Sequence, residues 1–235
     1  MEFALRPKPE LSELLTRLDD CVTTEQAAHA VVDWTGRRFP GSTPSIMLRH
    51  RHHLFPVLAG SEDLRAADVR QIVLGEGPAV DASTRTEFVL VDDLRTAPGW
   101  PQWVRFAVEL GLRSILSGRL ISRDRNVLGV LTLADRRPQA FTPEEAGTAM
   151  LLTQHIAVGL DRARIRENQH LALQAQTVIG QACGILMERL GLNGEQSLAL
   201  LRGYSRDHHR KLRQIAADLV ATGRLPGEPG IGSVR

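Results

Sequence analysis

Residues Leu171–Val220 read LALQAQTVIGQACGILMERLGLNGEQSLALLRGYSRDHHRKLRQIAADLV. Ile179, Ala182, Ile185 and Leu186 recur at three- and four-residue spacing, the mark of a helix with one apolar face. Leu198, Leu200 and Leu201 form a second run; Leu212, Ile215, Ala216 and Leu219 form a third. Gly191-Leu192-Asn193-Gly194 and Tyr204-Ser205 separate the runs. The stretch predicts three short amphipathic helices with a basic third one. Arg206, His208, His209, Arg210, Lys211 and Arg213 crowd that last helix. Spacing places Arg206, Arg210 and Arg213 on one helical face, with Lys211 to one side. Arginine and lysine reach phosphates, and arginine and histidine also stack on unpaired bases, so the module points to nucleic acid.

Upstream, Phe141-Thr142-Pro143-Glu144-Glu145 is a helix start: Thr142 at the N-cap, Pro143 at the first position and Glu145 completing a capping box. Neither Pro nor Gly lies between Gly159 and Gly180. The helix opened at Thr142 is therefore expected to run into the first of the three C-terminal helices. Leu151, Val158, Ile165, Ala172, Ile179 and Leu186 recur every seven residues along it. Such a row favours a coiled-coil seam in a homodimer, with Leu151, Val158, Ile165 and Ala172 as its contacts. The other reading is a helix packed only on its own sheet.

Before that helix the chain alternates short elements. Helices are expected near Glu10–Asp20 and Thr24–Arg38, the second boxed by Thr23 and Gln26. Strands Ser45–Leu48 and Leu54–Leu58 follow as a hairpin, then a helix from Ser61 to about Leu74. A helix over Ala79–Arg85, a strand near Phe88–Val91, a helix over Trp103–Leu110 and strands Ser114–Ile121 and Val127–Leu133 complete the set. Mixed strands and helices of these lengths predict an α+β domain on one antiparallel sheet.

Both halves carry family signatures. Val178-Ile179-Gly180-Gln181-Ala182, Gly184-Ile185-Leu186-Met187, Leu200-Leu201-Arg202, Ser205 and Lys211-Leu212 with Ala216 resemble the ANTAR domain, an RNA-binding module of bacterial transcription antiterminators. Gly75-Glu76-Gly77-Pro78, Val91-Asp92-Asp93-Leu94, Pro98 with Trp100-Pro101, Gly111-Leu112-Arg113-Ser114, Leu128-Gly129-Val130-Leu131 and Phe141–Glu145 resemble, in that order, the GAF domain, a small-molecule-sensing fold. The resemblance implies an N-terminal tail (1–8), a GAF-like sensor (9–165), an ANTAR domain (166–222) and a flexible C-terminal tail (223–235). It implies a GAF–ANTAR antitermination regulator that holds stem-loops in nascent leader transcripts. Arg206, His209, Arg210, Lys211 and Arg213 are its expected RNA contacts, and an unknown small-molecule or protein signal is expected at the GAF domain. ANTAR domains commonly carry Arg where this chain has Gln176 and Lys where it has Cys183. Cyclic-nucleotide-binding GAF domains carry an Asn-Lys…Phe…Glu/Asp signature where this chain reads Ala134-Asp135-Arg136-Arg137 before Phe141, so cyclic nucleotides are not expected. Ile46, Leu48, Phe55, Val57, Ile115 and Leu131 suggest an apolar or amphipathic ligand instead. Two rival readings are a DNA-binding regulator using the last helices, and a dimeric signalling module whose RNA-binding domain is degenerate.

Composition bounds the rest. At 235 residues and 43% hydrophobic, the chain can build two domains, and at 4% aromatic their cores must be mainly aliphatic. No apolar run approaches the roughly 20 residues of a membrane span, and MEFALRPKPE has no signal-peptide layout. Cys21 and Cys183 lack metal-ligand spacing and read as reduced thiols of a cytoplasmic protein. No phosphate loop, nucleophile elbow or metalloprotease helix occurs, so neither enzyme activity nor a cofactor is expected. Alternation would place His50 and His52 on one face of the hairpin, but Arg49 and Arg51 beside them disfavour a metal. The net charge of +2 is small, yet the C-terminal part is mildly basic and the rest mildly acidic.

Overall fold

The computed structural model describes residues 9–227. The chain divides into two compact units that meet between Glu167 and Asn168.

The first unit opens with α1 (Pro9–Asp20) and α2 (Thr24–Arg38). Thr23 caps α2: its hydroxyl accepts from the Gln26 N–H at 3.2 Å, and the Gln26 side chain accepts from the Thr23 N–H at 3.3 Å. A hairpin of β1 (Thr43–His50) and β2 (His53–Ala59) leads to α3 (Glu62–Leu74), capped by the Ser61 hydroxyl. α3 stops at Gly75, whose φ of +67° suits a residue without a Cβ. Then come α4 (Pro78–Thr84), β3 (Phe88–Val91), a 3-10 turn at Leu94–Thr96 and α5 (Pro101–Glu109). β4 (Ser114–Ile121) and β5 (Val127–Asp135) close the sheet.

The five strands run in the order β2-β1-β5-β4-β3, every neighbour antiparallel. Both faces are covered. Ile46, Leu116, Leu120, Leu131 and Leu133 pack in one core with residues of α1, α2 and the long helix that follows β5. Met47, Ile115, Val130 and Ala134 face α3, α4 and α5. Sheets covered on both faces lose the alternation of apolar and polar residues. The six residues expected to wall a ligand are therefore divided: Leu48, Phe55 and Val57 line a groove with Leu128 and Leu160, while Ile46, Leu131 and Ile115 are core. Leu48 and Val57 pack against the helix-side core of Ile46 and Leu131, Phe55 is 43% exposed, and only Ile115 lies on the other side.

Gly129 sits where three strands crowd together, opposite both Leu48 and Leu120. A Cβ there would overlap the carbonyl oxygen of Met47. Gly118 clears space for the long helix in the same way, against Thr153.

That helix, α6, spans Pro143–Leu190 without a break. Thr142 and Glu145 make the expected box: the Thr142 hydroxyl accepts from the Glu145 N–H, and the Glu145 carboxylate accepts from the Thr142 N–H. In the first unit, Leu152, Ile156, Leu160 and Ala163 turn into the core. Leu151 and Ile165 do not; they are 61% and 48% exposed.

The second unit begins at Asn168 on α6 and adds α7 (Gly194–Asp207) and α8 (Leu212–Thr222). Its core is Ala182, Leu186, Leu201, Ile215, Ala216 and Leu219, all on the three apolar runs of the C-terminal stretch. Leu186 is buried there and Ile179 packs against it, so the chain's own fold consumes the end of the seven-residue row. Only Leu151, Val158, Ile165 and Ala172 remain outside a core of their own chain. Gly223 caps α8, and Leu225, 4% exposed, closes the core. The expected flexible tail therefore does not begin at 223. The expected tails at 1–8 and 228–235 lie outside the described residues. Among the described residues no helix is long and apolar enough to cross a membrane.

Candidate nucleic-acid interface

The basic cluster does not lie on one helix. α7 continues through Tyr204-Ser205 to Asp207, and α8 starts only at Leu212. Arg206 therefore lies in the last turn of α7, His209, Arg210 and Lys211 lie between the helices, and Arg213 lies in the first turn of α8. The expected single helical face is replaced by a helix–turn–helix corner, all five residues exposed. The turn is invisible to a search for Gly or Pro because His209 takes the left-handed conformation itself, at φ +50°.

Local hydrogen bonds pin this corner. The Ser205 hydroxyl donates to the Arg210 carbonyl at 2.6 Å, and the Arg210 N–H donates to the Ser205 carbonyl at 3.1 Å. The Gln214 side chain accepts from the Lys211 N–H. At the other end of α7, Asn193 and Gln196 form a capping box at 2.9 Å in both directions. The charges differ in availability. Arg210 pairs with Asp218 at 2.7 Å, whereas Arg206, Lys211 and Arg213 make no ion pair among the described residues. These three are the cations free to meet a phosphate.

Sequence reasoning missed one element of the corner. The rings of Tyr204 and His208 stack 5.9 Å apart and nearly parallel, at 10°. His208 is exposed, so it presents a ring face beside the basic turn. The four-residue spacing on a helix was the available signal. Gln176 is exposed on α6, while Cys183, seven residues on, packs against the three-helix core, which pushes its thiol upward in pKa.

The first unit holds a different kind of chemistry. Between the sheet and α3 lies a buried polar cluster. Ser117 and Thr132 share a hydrogen bond at 2.9 Å, and Gln71 donates to Asp68 at 3.1 Å while accepting from the Ala79 N–H at 2.9 Å. Asp68 is 0% exposed, and its second carboxylate oxygen and the neighbouring Ser45 hydroxyl have no partner of good geometry. Burial pushes the Asp68 carboxyl up to about 7, against the pull of Ser45 and Gln71. Asp92-Asp93 is a turn: Asp93 accepts from the Arg95 N–H and holds Arg113 at 2.6 Å, which lowers its carboxyl to about 2. Cys21 follows α1 as a buried thiol donating to the Arg17 carbonyl. β1 ends at His50, so His52 lies in the turn and the two do not share a strand face. Among the described residues no group of three or more His, Cys, Asp or Glu is placed to hold a metal.

Family models match both units: a GAF domain over residues 21–161, more than half of the chain, and an ANTAR domain over residues 167–220. The chain belongs to the GAF family and carries an ANTAR domain. It is thus a GAF–ANTAR regulator, a sensory domain joined to an RNA-binding type of domain. No curated protein matches it in sequence. Among solved structures, the GAF domain from a Coxiella burnetii phosphoenolpyruvate-protein phosphotransferase is similar at 19% identity and TM-score 0.50, over 67% of this chain and 94% of that one. The bacteriophytochrome from the photosynthetic bacterium R. palustris matches at 11% identity and TM-score 0.55, over 83% of this chain. The Stigmatella aurantiaca phytochrome photosensory core module matches at 10% and 0.54, over 85%. This chain spans 45% of each phytochrome. At these identities the likeness speaks for the GAF fold alone.

Proposed function

We propose that this GAF–ANTAR protein is a cytoplasmic, homodimeric transcription antiterminator that acts by binding, without catalysis. Its ANTAR domain holds paired stem-loops in nascent leader RNA, and the competing terminator hairpin then cannot form. The observation that carries this is the α7–α8 corner, where Arg206, Lys211 and Arg213 are exposed and unpaired within an ANTAR fold. Phosphate recognition needs such free cations, and the exposed His208 ring offers a base a stacking partner. Dimerisation through Leu151, Val158, Ile165 and Ala172 would bring two ANTAR domains to two loops. Tethering raises the effective concentration for the second contact. A small-molecule or protein signal at the GAF domain would act through α6, the one element shared by both units.

The test is transcription in vitro through a leader that carries two adjacent hairpins ahead of an intrinsic terminator. Added protein is expected to raise readthrough, and a template with one hairpin deleted is expected to abolish the effect. Readthrough that is unchanged by the protein contradicts the proposal.

A further inference from the structure

The GAF unit carries an unexplained concentration of positive charge. Residues 1–167 hold 21 basic against 22 acidic side chains. Yet the two short connections at residues 49–53 and 122–126 carry Arg49, Arg51, Arg123 and Arg125 against Asp124 alone. Topology brings them together. β1 and β5 are adjacent and antiparallel, with Leu48 opposite Gly129, so the β1–β2 tip and the β4–β5 tip emerge side by side at one end of the sheet. The apical residues Arg51, His52, Arg123 and Arg125 are all exposed.

Two further observations mark these arginines. Most arginines of this unit sit against a carboxylate, as Arg85 does on Asp81, Arg113 on Asp93 and Arg137 on Asp135. The four at the tips make no ion pair among the described residues. Each tip also places an arginine in the left-handed region, Arg51 at φ +55° and Arg125 at φ +60°. Glycine or asparagine would occupy those positions with less strain. Two turns that both hold an unpaired arginine in an unfavourable conformation suggest that the charge is kept for something outside the chain.

We propose that the paired hairpin tips of the GAF unit form a second phosphate-binding surface, and that they grip the same RNA as the ANTAR domain. This rests on the RNA-binding reading above. Arginine suits the role because its fork meets phosphate oxygens bidentately. Neither tip has an apolar residue at its apex, so neither offers the wedge that a bilayer would take up. Glu25 and Glu167 line the groove beside Arg49, but Glu167 is already held by the Thr24 N–H at 3.0 Å and the Thr24 hydroxyl at 2.6 Å. The RNA would therefore meet the apices rather than that groove.

The strained positions supply a clean variant. Arg51→Asn with Arg125→Asn relieves both turns, so its thermal midpoint should equal or exceed that of the wild type. Binding of the full chain to an RNA of two adjacent hairpins is measured across a salt series, for the wild type, this double variant and Arg213→Ala. The double variant is expected to bind about tenfold more weakly near 100 mM salt, and its plot of log affinity against log salt should flatten by about 2. Wild-type affinity and slope in the double variant, with Arg213→Ala impaired, overturn this inference and leave the ANTAR reading standing. Wild-type protein that fails to bind the RNA removes both. A double variant that loses only its adhesion to phosphatidylserine-containing vesicles assigns the tips to a membrane and overturns the proposal.

Discussion

Asp68 is the residue whose chemistry reaches furthest beyond its neighbours. In the unfolded chain its carboxyl titrates near 3.8; buried in the folded GAF domain it titrates near 7. Well below pH 3.8 both states hold the proton and burial carries no ionisation penalty. As pH rises from 4 to 7 the unfolded state releases the proton while the folded state keeps it, so stability falls across that window. The loss from this one group should be roughly 2–4 kcal/mol. Asp68→Asn removes the titration, keeps an acceptor for Gln71 and gives Ser45 a donor. Urea unfolding at pH 5 and pH 8 should show a pronounced loss for the wild type and a flat profile for the variant; parallel profiles would mean that Asp68 is not buried as described. Other residues were legible without the structure. Thr23 with Gln26, Ser61, and Thr142 with Glu145 announce helix starts because a cap is a contact between residues three apart. Asp68 announces nothing, since a carboxylate on a helix gives no sign of which way it will face.

At the scale of elements, spacing was most informative where one face is buried and least where two are. The cores of α7 and α8 could be read from Leu201, Ile215, Ala216 and Leu219. The strands could be located but not oriented: with helices over both faces, Ile46 and Met47 are equally buried on opposite sides of β1. The break between the last two helices was expected at Tyr204-Ser205 and lies after Asp207, because His209 adopts the positive φ that glycine usually signals. β5 shows how little room the sheet leaves. Gly129→Ala would drive a methyl group into the Met47 carbonyl and force β1 and β5 apart. It is expected to cost about 2–3 kcal/mol, the range of an overpacked core, measured as a shift of the urea midpoint. A neutral substitution would mean that β1 and β5 do not approach as closely as the pairing of Leu48 with Gly129 requires.

The molecule as a whole joins a GAF domain to an ANTAR domain through one unbroken helix, and two of its expected properties can be tested in solution. The exposed row of α6 should hold two chains together. Light scattering at micromolar concentration should give a dimer for the wild type and shift toward monomer for Ile165→Asp, which puts a charge into the apolar seam. A wild-type monomer would end the dimer account. The order of domains was legible because each family signature is local. The candidate binding surfaces were legible only in part, because which arginines stay free depends on acidic partners far away in sequence, as Asp63 is from Arg136. Whether the α7–α8 corner binds RNA through free cations is decided by the affinity of wild type and Arg213→Ala for a two-hairpin RNA, beside duplex DNA of equal length over a salt series. Tighter binding to the RNA than to the DNA is expected, with a salt slope reduced by about 1 in Arg213→Ala. Equal, weak binding to both nucleic acids, unchanged by the substitution, would contradict it.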